Sequence, residues 1–418
     1  MSTCPPAGRR RVLMVNRVAH LGGVERVILT LIGGLRAHGY EVLLACPGEG
    51  ELPEAARAAG GTVLPVAFDR MRITADPRSL LRYPAAWRDG AAAVERHCRD
   101  RGIALLHTHH PVGTLYAMRA ARRLRLPLVQ HMHEVLPARM AYAAAQRLGA
   151  RACTRFLCVS GAGRALLESL GIDRVRTDII HNGVDPGFLA AGPAAPAADI
   201  AGAGPGPHLG VFGVIEPRKG QHLFLEAAAA LAARWPQARF WVVGKLALAD
   251  HADYLHRLQT MAEAPALRGR VTFTGYRADV AGCLRAMDVV VQASTRHESL
   301  SMALIEALSL GCRIVATDVG GTAEIVTHGR TGLIVPPGDA AALAAAMERM
   351  LGLNAAGFGG RAAADATRFR PEIFCAAVAG RFDAVLGAWR RTSGQCVQRH
   401  QPLLGARVGA QVGKDMPL

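Results

Sequence analysis

The sequence predicts an α/β protein built from two doubly wound parallel sheets. Three observations carry that expectation. Short apolar runs alternate with segments of helical periodicity, the order that places helices on both faces of a parallel sheet. The alternation stops at 186–207, PGFLAAGPAAPAADIAGAGPGP, an Ala-, Pro- and Gly-rich stretch that reads as a linker, and then restarts. The 418 residues, half of them apolar, suffice for two full cores.

The first domain spans 10–185 and opens on the strand RVLMVNR. This brief apolar run reads as a buried strand rather than a signal peptide, because no long apolar core or small-residue cleavage site follows. A helix over 24–38, the strand EVLLACP, a helix near 52–59, the strand TVLPVAF and a helix over 85–100 come next. Then follow ALLHTH, a helix over 112–124, PLVQHMH, a helix over 138–150, RFLCVS, a helix over 161–170 and DIIHNGV. Asn182 and Gly183 suit a turn with positive φ at the hinge. The second domain, 208–375, restarts at HLGVFGV and contains the runs DVVVQAS (288–294) and RIVATD (313–318). PEIFCAAVAGRFDAVLGAWRR is amphipathic, and a final helix is expected over 376–391. The tail, 392–418, lacks periodicity and is expected to be disordered.

Between DVVVQAS and RIVATD lies RHESLSMALIEALSLG, with Glu298 and Glu306 eight residues apart. Glu298 falls in a loop past a strand's carboxyl end, and Glu306 inside a short helix stopped by Gly311. Ser299 or Ser301 is placed to cap that helix. Its N-terminus at a parallel sheet's carboxyl edge is a ready anion site, since its backbone N–H groups lack partners. One carboxylate could accept hydrogen bonds from sugar hydroxyls and the other from a ribose. The spacing by itself is equally readable as a solvated pair.

The surrounding stretch, VTFTGYRADVAGCLRAMDVVVQASTRHESLSMALIEALSLGCRIVATDVGGTAEIVTHGRTGLIVPP, closely resembles the donor-binding half of glycosyltransferase family 4. The shared pieces are the glutamate pair, the AL-LG helix end, VATDVGG, EIV and TGLIVPP, and the resemblance runs from about Arg11 to about Leu351. It implies the GT-B fold, two Rossmann-like domains facing across a cleft, with a last helix crossing back to the first domain. It implies a retaining transfer of sugar from a nucleotide-diphosphate sugar, a UDP- or GDP-sugar, to an acceptor. That acceptor is unknown: a glycan or a lipid-linked molecule.

The resemblance also assigns residues. The loop HLGGVERV, with Gly22 and Gly23, matches the element that approaches donor phosphate and acceptor. It is not the G-x-G-x-x-G of dinucleotide enzymes. In QHMHE, His133 matches the histidine that faces the donor sugar. Lys219, one of only three lysines, matches the lysine that binds the diphosphate. A lysine kept in so arginine-rich a chain suggests a place that needs a compact ammonium. Relatives carry an arginine where this chain has Val214, and Arg218 is the candidate replacement. Ser301 replaces a glycine common in relatives. Backbone N–H groups around Ser299, Leu300 and Ser301 would face the departing diphosphate, Glu298 the sugar, and Glu306 the ribose. The donor is a co-substrate, and no other cofactor is implied. An epimerase of the same fold, or a non-catalytic nucleotide-sugar-binding protein, remains an alternative.

Five of the sixteen histidines fall at two strand ends, His107, His109 and His110 in HTHHP and His131 and His133 in QHMHE. Alternate strand residues share a face, which would suit a metal. No cysteine or paired carboxylate completes a ligand set and D-x-D is absent, so no metal is expected. Apart from His133, satisfied core histidines are the expectation.

The net charge is +16 and almost entirely arginine. Residues 1–185 hold 26 arginines and 15 acids, an excess of 11. With 5% aromatics and no basic-aromatic stripe, nucleic acid is not the expected partner. Weak association with anionic membranes is expected instead, with genome-driven arginine enrichment as the competing explanation. No apolar stretch is long enough to span a bilayer. The nine cysteines are scattered without a C-x-x-C pair, consistent with free thiols in a cytoplasmic protein.

Overall fold

The computed structural model describes residues 10–68, 77–134, 140–190, 195–246, 251–296, 298–353 and 355–392. The first sheet holds β1 (Arg10–Val15), β2 (Tyr40–Cys46), β3 (Thr62–Pro65), β4 (Leu105–Thr108), β5 (Leu128–Met132), β6 (Arg155–Cys158) and β7 (Thr177–Ile179). Its strands are all parallel, in the order β3-β2-β1-β4-β5-β6-β7. Around it lie α1 (Gly23–Gly34), α2 (Glu51–Ala58), α3 (Pro77–Asp100), α4 (Pro111–Arg123), α5 (Met140–Ala150) and α6 (Gly161–Ser169).

Two short helices, α7 (Pro186–Ala190) and α8 (Ala198–Ala201), lead into the second sheet. That sheet is built from β8 (His208–Phe212), β9 (Arg239–Val243), β10 (Val271–Gly275), β11 (Val289–Gln292), β12 (Ile314–Thr317) and β13 (Leu333–Val335). Its order is β10-β9-β8-β11-β12-β13, again all parallel. Its helices are α9 (Gln221–Ala232), α10 (Ala252–Ala262), α11 (Val280–Arg285), α12 (Met302–Ser309), α13 (Thr322–Ile325), α14 (Ala340–Gly352) and α15 (Ala355–Ala366), and α16 (Pro371–Thr392) ends the described chain.

Central strands such as β4, β5, β8 and β11 are buried along their whole length, as sheets covered on both faces require. In both sheets the connections reverse direction beside the first strand, at β1/β4 and at β8/β11. In a doubly wound sheet the crevice at the strands' carboxyl ends opens at that point. The loops after β1, β5, β8 and β11 carry most of the expected site residues, at the carboxyl ends of their strands.

Several expectations are corrected. The helix expected over 85–100 starts at Pro77, because Pro84 sits inside α3 rather than ahead of it. The stretch 186–207 is not a bare linker. Ile200 is fully buried, the Ala197 N–H donates to Gly282 O, and Asp199 holds Arg277 through two hydrogen bonds of 2.6 and 3.1 Å. Small residues let this segment lie close on the second domain, and a composition reading mistakes that for slack.

The final helix starts at Pro371 rather than 376 and is continuous to Thr392. Phe374, Cys375, Val378 and Phe382 enter the core of the first domain beside β1 and α1. Tyr40 Oη donates to Asp383 at 2.6 Å, Arg10 pairs with the same carboxylate, and Trp389 Nε1 donates to Arg125 O at 3.0 Å. At the hinge, Gly183 has no positive φ. A Cβ there would lie 2.9 Å from Phe374 Cβ, so close approach of α16 demands the glycine. Of the tail expected to be disordered, 392 belongs to α16 and the remainder lies outside the described residues.

Candidate active site

A cavity of about 620 Å³ lies in the cleft, lined from the first domain by Gly22, Gly23 and Arg26 and from the second by Val214, Lys245, Tyr276 and Glu306. Both domains therefore wall one chamber of ligand size. The glycine loop after β1 is held from beneath. Glu25 accepts the Gly22 N–H at 3.0 Å with one oxygen and Asn16 Nδ2 at 3.1 Å with the other. This pins the start of α1 and leaves the Gly22–Gly23 backbone facing the cavity.

Glu306 sits in α12, half-buried at the cavity wall. Burial pushes its carboxyl up to about 7, with Asp185 adding to the rise and Arg26 opposing it. Arg26 and Asp185 face one another at 3.9 Å. Ser301 occupies the position before α12 but its hydroxyl caps nothing, and the buried Ser299 hydroxyl has no partner among the described residues. The expected side-chain cap is therefore absent, and the first-turn N–H groups of α12 keep their donors free of side-chain competition. The Leu300 side chain is buried in the second domain's core and anchors the loop, leaving its backbone as the usable part.

Glu298 lies behind this loop, nearly fully buried. It accepts from Lys219 Nζ at 2.5 Å and Ser294 Oγ at 3.1 Å, and Arg218 stands 3.9 Å away. Burial raises its pKa, but Lys219 and Arg218 outweigh that and hold the carboxyl below the usual range. Arg218 pairs more closely with Glu216, at 2.7 Å. Lys219 and Glu298 thus form an internal ion pair on loops after β8 and β11. The turn after β12 presses on them: Gly320 has φ +58°, and a Cβ there would lie 1.4 Å from Glu298 O. Only glycine allows VATDVGG to nest against the Glu298 loop.

His133, just past β5, receives or gives a hydrogen bond between its Nε2 and His109 Nδ1 at 3.0 Å. Burial lowers its pKa to about 4, partly offset by Glu134, so it is neutral at physiological pH. Burial raises the pKa of Glu134, beside it, but His110 at 3.5 Å, with smaller contributions from His133 and Arg218, holds it below the usual carboxylate range. The histidines are not the satisfied core residues expected from the sequence. His110 does cap α4 by accepting the Val112 N–H at 3.1 Å. His107 and His131, however, have no hydrogen-bond partner on either ring nitrogen among the described residues.

Sequence reasoning passed over Arg26, Lys245 and Tyr276. Lys245 follows β9 and stands over the exposed Tyr276 ring at 5.3 Å. Its place after a strand's carboxyl end and the scarcity of lysine were the available signals.

The model for "Glycosyltransferase Family 4" matches residues 21–188, and that for "Glycosyl transferases group 1" matches 206–352, so the two together cover most of the chain. The phosphatidyl-myo-inositol mannosyltransferase of Mycolicibacterium smegmatis is 27% identical over 88% of this chain and 91% of its own length. The lipopolysaccharide core biosynthesis mannosyltransferase LpcC of Rhizobium leguminosarum bv. viciae is 33% identical over 40% of this chain and 48% of its own. In fold, the chain resembles Anabaena Alr3699/HepE in complex with UDP-glucose, with TM-score 0.75, 23% identity, and coverage of 90% of this chain and 99% of that one.

Proposed function

The chain belongs to glycosyltransferase family 4, with the GT-B fold, and on that premise we propose that it is a retaining, metal-independent hexosyltransferase. It would move a sugar, mannose by analogy with the named relatives, from a UDP- or GDP-sugar to a lipid-linked or glycan acceptor of cell-surface glycolipid or polysaccharide synthesis. The observation that supports this best is the placement of Glu306 on the wall of a ligand-sized cavity shared by both domains, beside the α12 N-terminus.

In this reading Glu306 accepts the ribose hydroxyls. The first-turn N–H groups of α12 and Lys219 face the diphosphate, and their hold strengthens as charge builds on the leaving oxygen. Glu298, kept ionised by Lys219, orients the sugar through its hydroxyls. Neutral His133 offers the sugar a hydrogen bond from the other wall. Val214 leaves one expected cation missing, and Arg218 is engaged by Glu216 and Glu298, so Arg26 and Lys245 on the cavity wall are the better candidates to supply positive charge. Closure of the domains would exclude water and limit donor hydrolysis.

Thermal shift with UDP, GDP, ADP and their hexose conjugates tests the donor, since a ligand bound only by the native chain raises its melting temperature. Transfer to a phosphatidylinositol or lipopolysaccharide-core acceptor tests the reaction, and activity is expected to survive chelation. Donor isomerisation without acceptor would establish the epimerase instead. Stabilisation by nucleotide without any turnover would leave a binding protein.

A further inference from the structure

Behind His133, the two strand ends that lead to the cleft carry three further histidines to which sugar transfer gives no part. His107 and His109 on one strand end and His131 on the next are buried, and their facing nitrogens lie within 4.8 Å of one another. His133 joins them through the 3.0 Å contact between its Nε2 and His109 Nδ1. Adjacent rings approach to 4.3 Å between His107 and His109 and 4.2 Å between His131 and His133. We propose that His107, His109 and His131 form a binding site for one divalent transition-metal ion of the zinc class, with His133 as the outer partner that orients His109.

The two faces of these strands differ in how their polar groups are satisfied. On the opposite face Thr108 and Gln130 are answered from the neighbouring helices. Gln130 and Gln146 exchange amide hydrogen bonds at 2.9 and 3.1 Å, and Thr108 bonds Thr114 at 2.7 Å. On the histidine face, both nitrogens of His107, both of His131 and Nε2 of His109 have no partner among the described residues. Buried polar groups left unanswered are rare because each destabilises the fold.

The donor set names the ion class. Three imidazoles without thiolate or carboxylate suit Zn²⁺, Co²⁺, Ni²⁺ or Cu²⁺ and not Mg²⁺ or Ca²⁺. Tetrahedral zinc with bonds of about 2.0–2.1 Å needs nitrogens roughly 3.3 Å apart, so the facing nitrogens, within 4.8 Å of one another, would draw closer around a bound ion. A metal on His109 Nε2 leaves a proton on Nδ1, which then donates to His133 Nε2. This is the usual way an outer partner fixes a ligand's tautomer. His133, the partly exposed member, marks the way in from the cleft. Behind the cluster stand Phe382, 5.1 Å from His107, and Phe374, 6.2 Å from His131, both on α16. The ion would therefore fasten the strand ends that carry His133 over the helix that closes the core. Its role is structural and separate from the diphosphate.

The full chain, stripped with chelator, is titrated with ZnCl₂ by calorimetry and with CoCl₂ by visible absorption. One equivalent should bind, Co²⁺ should show the intense absorption of four-coordinate geometry, and Zn²⁺ should raise the melting temperature. His107→Gln and His131→Gln should each weaken binding by at least about ten-fold. If these variants do not fold, the Co²⁺ spectrum of the unaltered chain decides alone. No stoichiometric binding, a six-coordinate spectrum, or unchanged affinity in folded His131→Gln overturns the proposal and leaves trapped water as the partner of these nitrogens. Nucleotide binding is measured on the stripped and zinc-loaded chain in parallel, so a failed donor assignment and a failed metal site are read separately.

Discussion

Glu306 is the residue on which stability and function pull in opposite directions. Its carboxyl is raised from its ordinary 4.5 to about 7, so the folded chain holds this proton more tightly than the unfolded one. Its contribution to stability is then complete below about pH 4.5 and is lost as pH rises through 7. Ribose hydroxyls, by contrast, donate to the ionised form. Nucleotide affinity should therefore fall as pH drops below 7, by up to about ten-fold per unit. Glu306→Gln should flatten that profile in calorimetric titration, weaken nucleotide binding at pH 8 and raise the melting temperature there. A pH-independent affinity in the unaltered chain would remove Glu306 from the ribose. At Lys219, removal of a group that meets charge in the transition state costs on the order of 100-fold. Lys219→Ala should lower kcat by about that much and Lys219→Arg should recover part of it, because a planar guanidinium keeps the charge but not the compact ammonium that Glu298 holds. Full recovery would show that only charge matters. The glutamate pair, Lys219 and the glycine loop were legible in the sequence because motif order and strand-end position coincide. Arg26, Lys245 and the pressure of Gly320 on Glu298 were not, since each depends on two segments far apart in the chain.

At the scale of elements, the parallel strands were readable because their burial on both faces makes continuous apolar runs. The segment 186–207 and the start of α3 were misread because alanine and proline carry little pattern of their own. α3 also bears on where the protein works. Arg99 of α3 and Arg119 and Arg123 of α4 converge on Glu95 at 2.8, 2.6 and 3.7 Å. One carboxylate thus gathers cations from both helices, and Arg88 and the exposed Trp87 lie about two turns earlier on α3. Among the described residues no helix is long and apolar enough to cross a membrane. Co-sedimentation with anionic vesicles at low salt, lost at about 0.5 M salt and absent with neutral vesicles, is the expected result. Trp87→Ala combined with Arg88→Ala should reduce it several-fold. Equal failure with both vesicle types would favour a soluble acceptor and an even scatter of arginines.

Across the whole molecule, one residue joins the two domains in an unusual way. Glu324 of α13 accepts the Gly161 N–H at the start of α6 at 2.8 Å and pairs with His181 Nε2 at 2.8 Å. Its carboxylate thus caps a helix of the opposite domain. Glu324→Ala should loosen the cleft, and the ratio of donor hydrolysis to transfer should rise as water enters. An unchanged ratio together with an unchanged small-angle scattering profile would show that the contact does not govern closure. α16 bears on the same unity from another direction, that of synthesis. The ribosome releases the first domain's strands long before residues 371–392, yet Phe374, Val378 and Phe382 belong to that domain's core. At roughly 5–20 residues per second, an unfinished apolar face beside β1 and α1 waits something like ten to forty seconds for its cover. During that interval the nascent chain is a natural client for a chaperone. A chain released at residue 370 should keep the second domain's cooperative melt while the first aggregates, because its missing piece is made last.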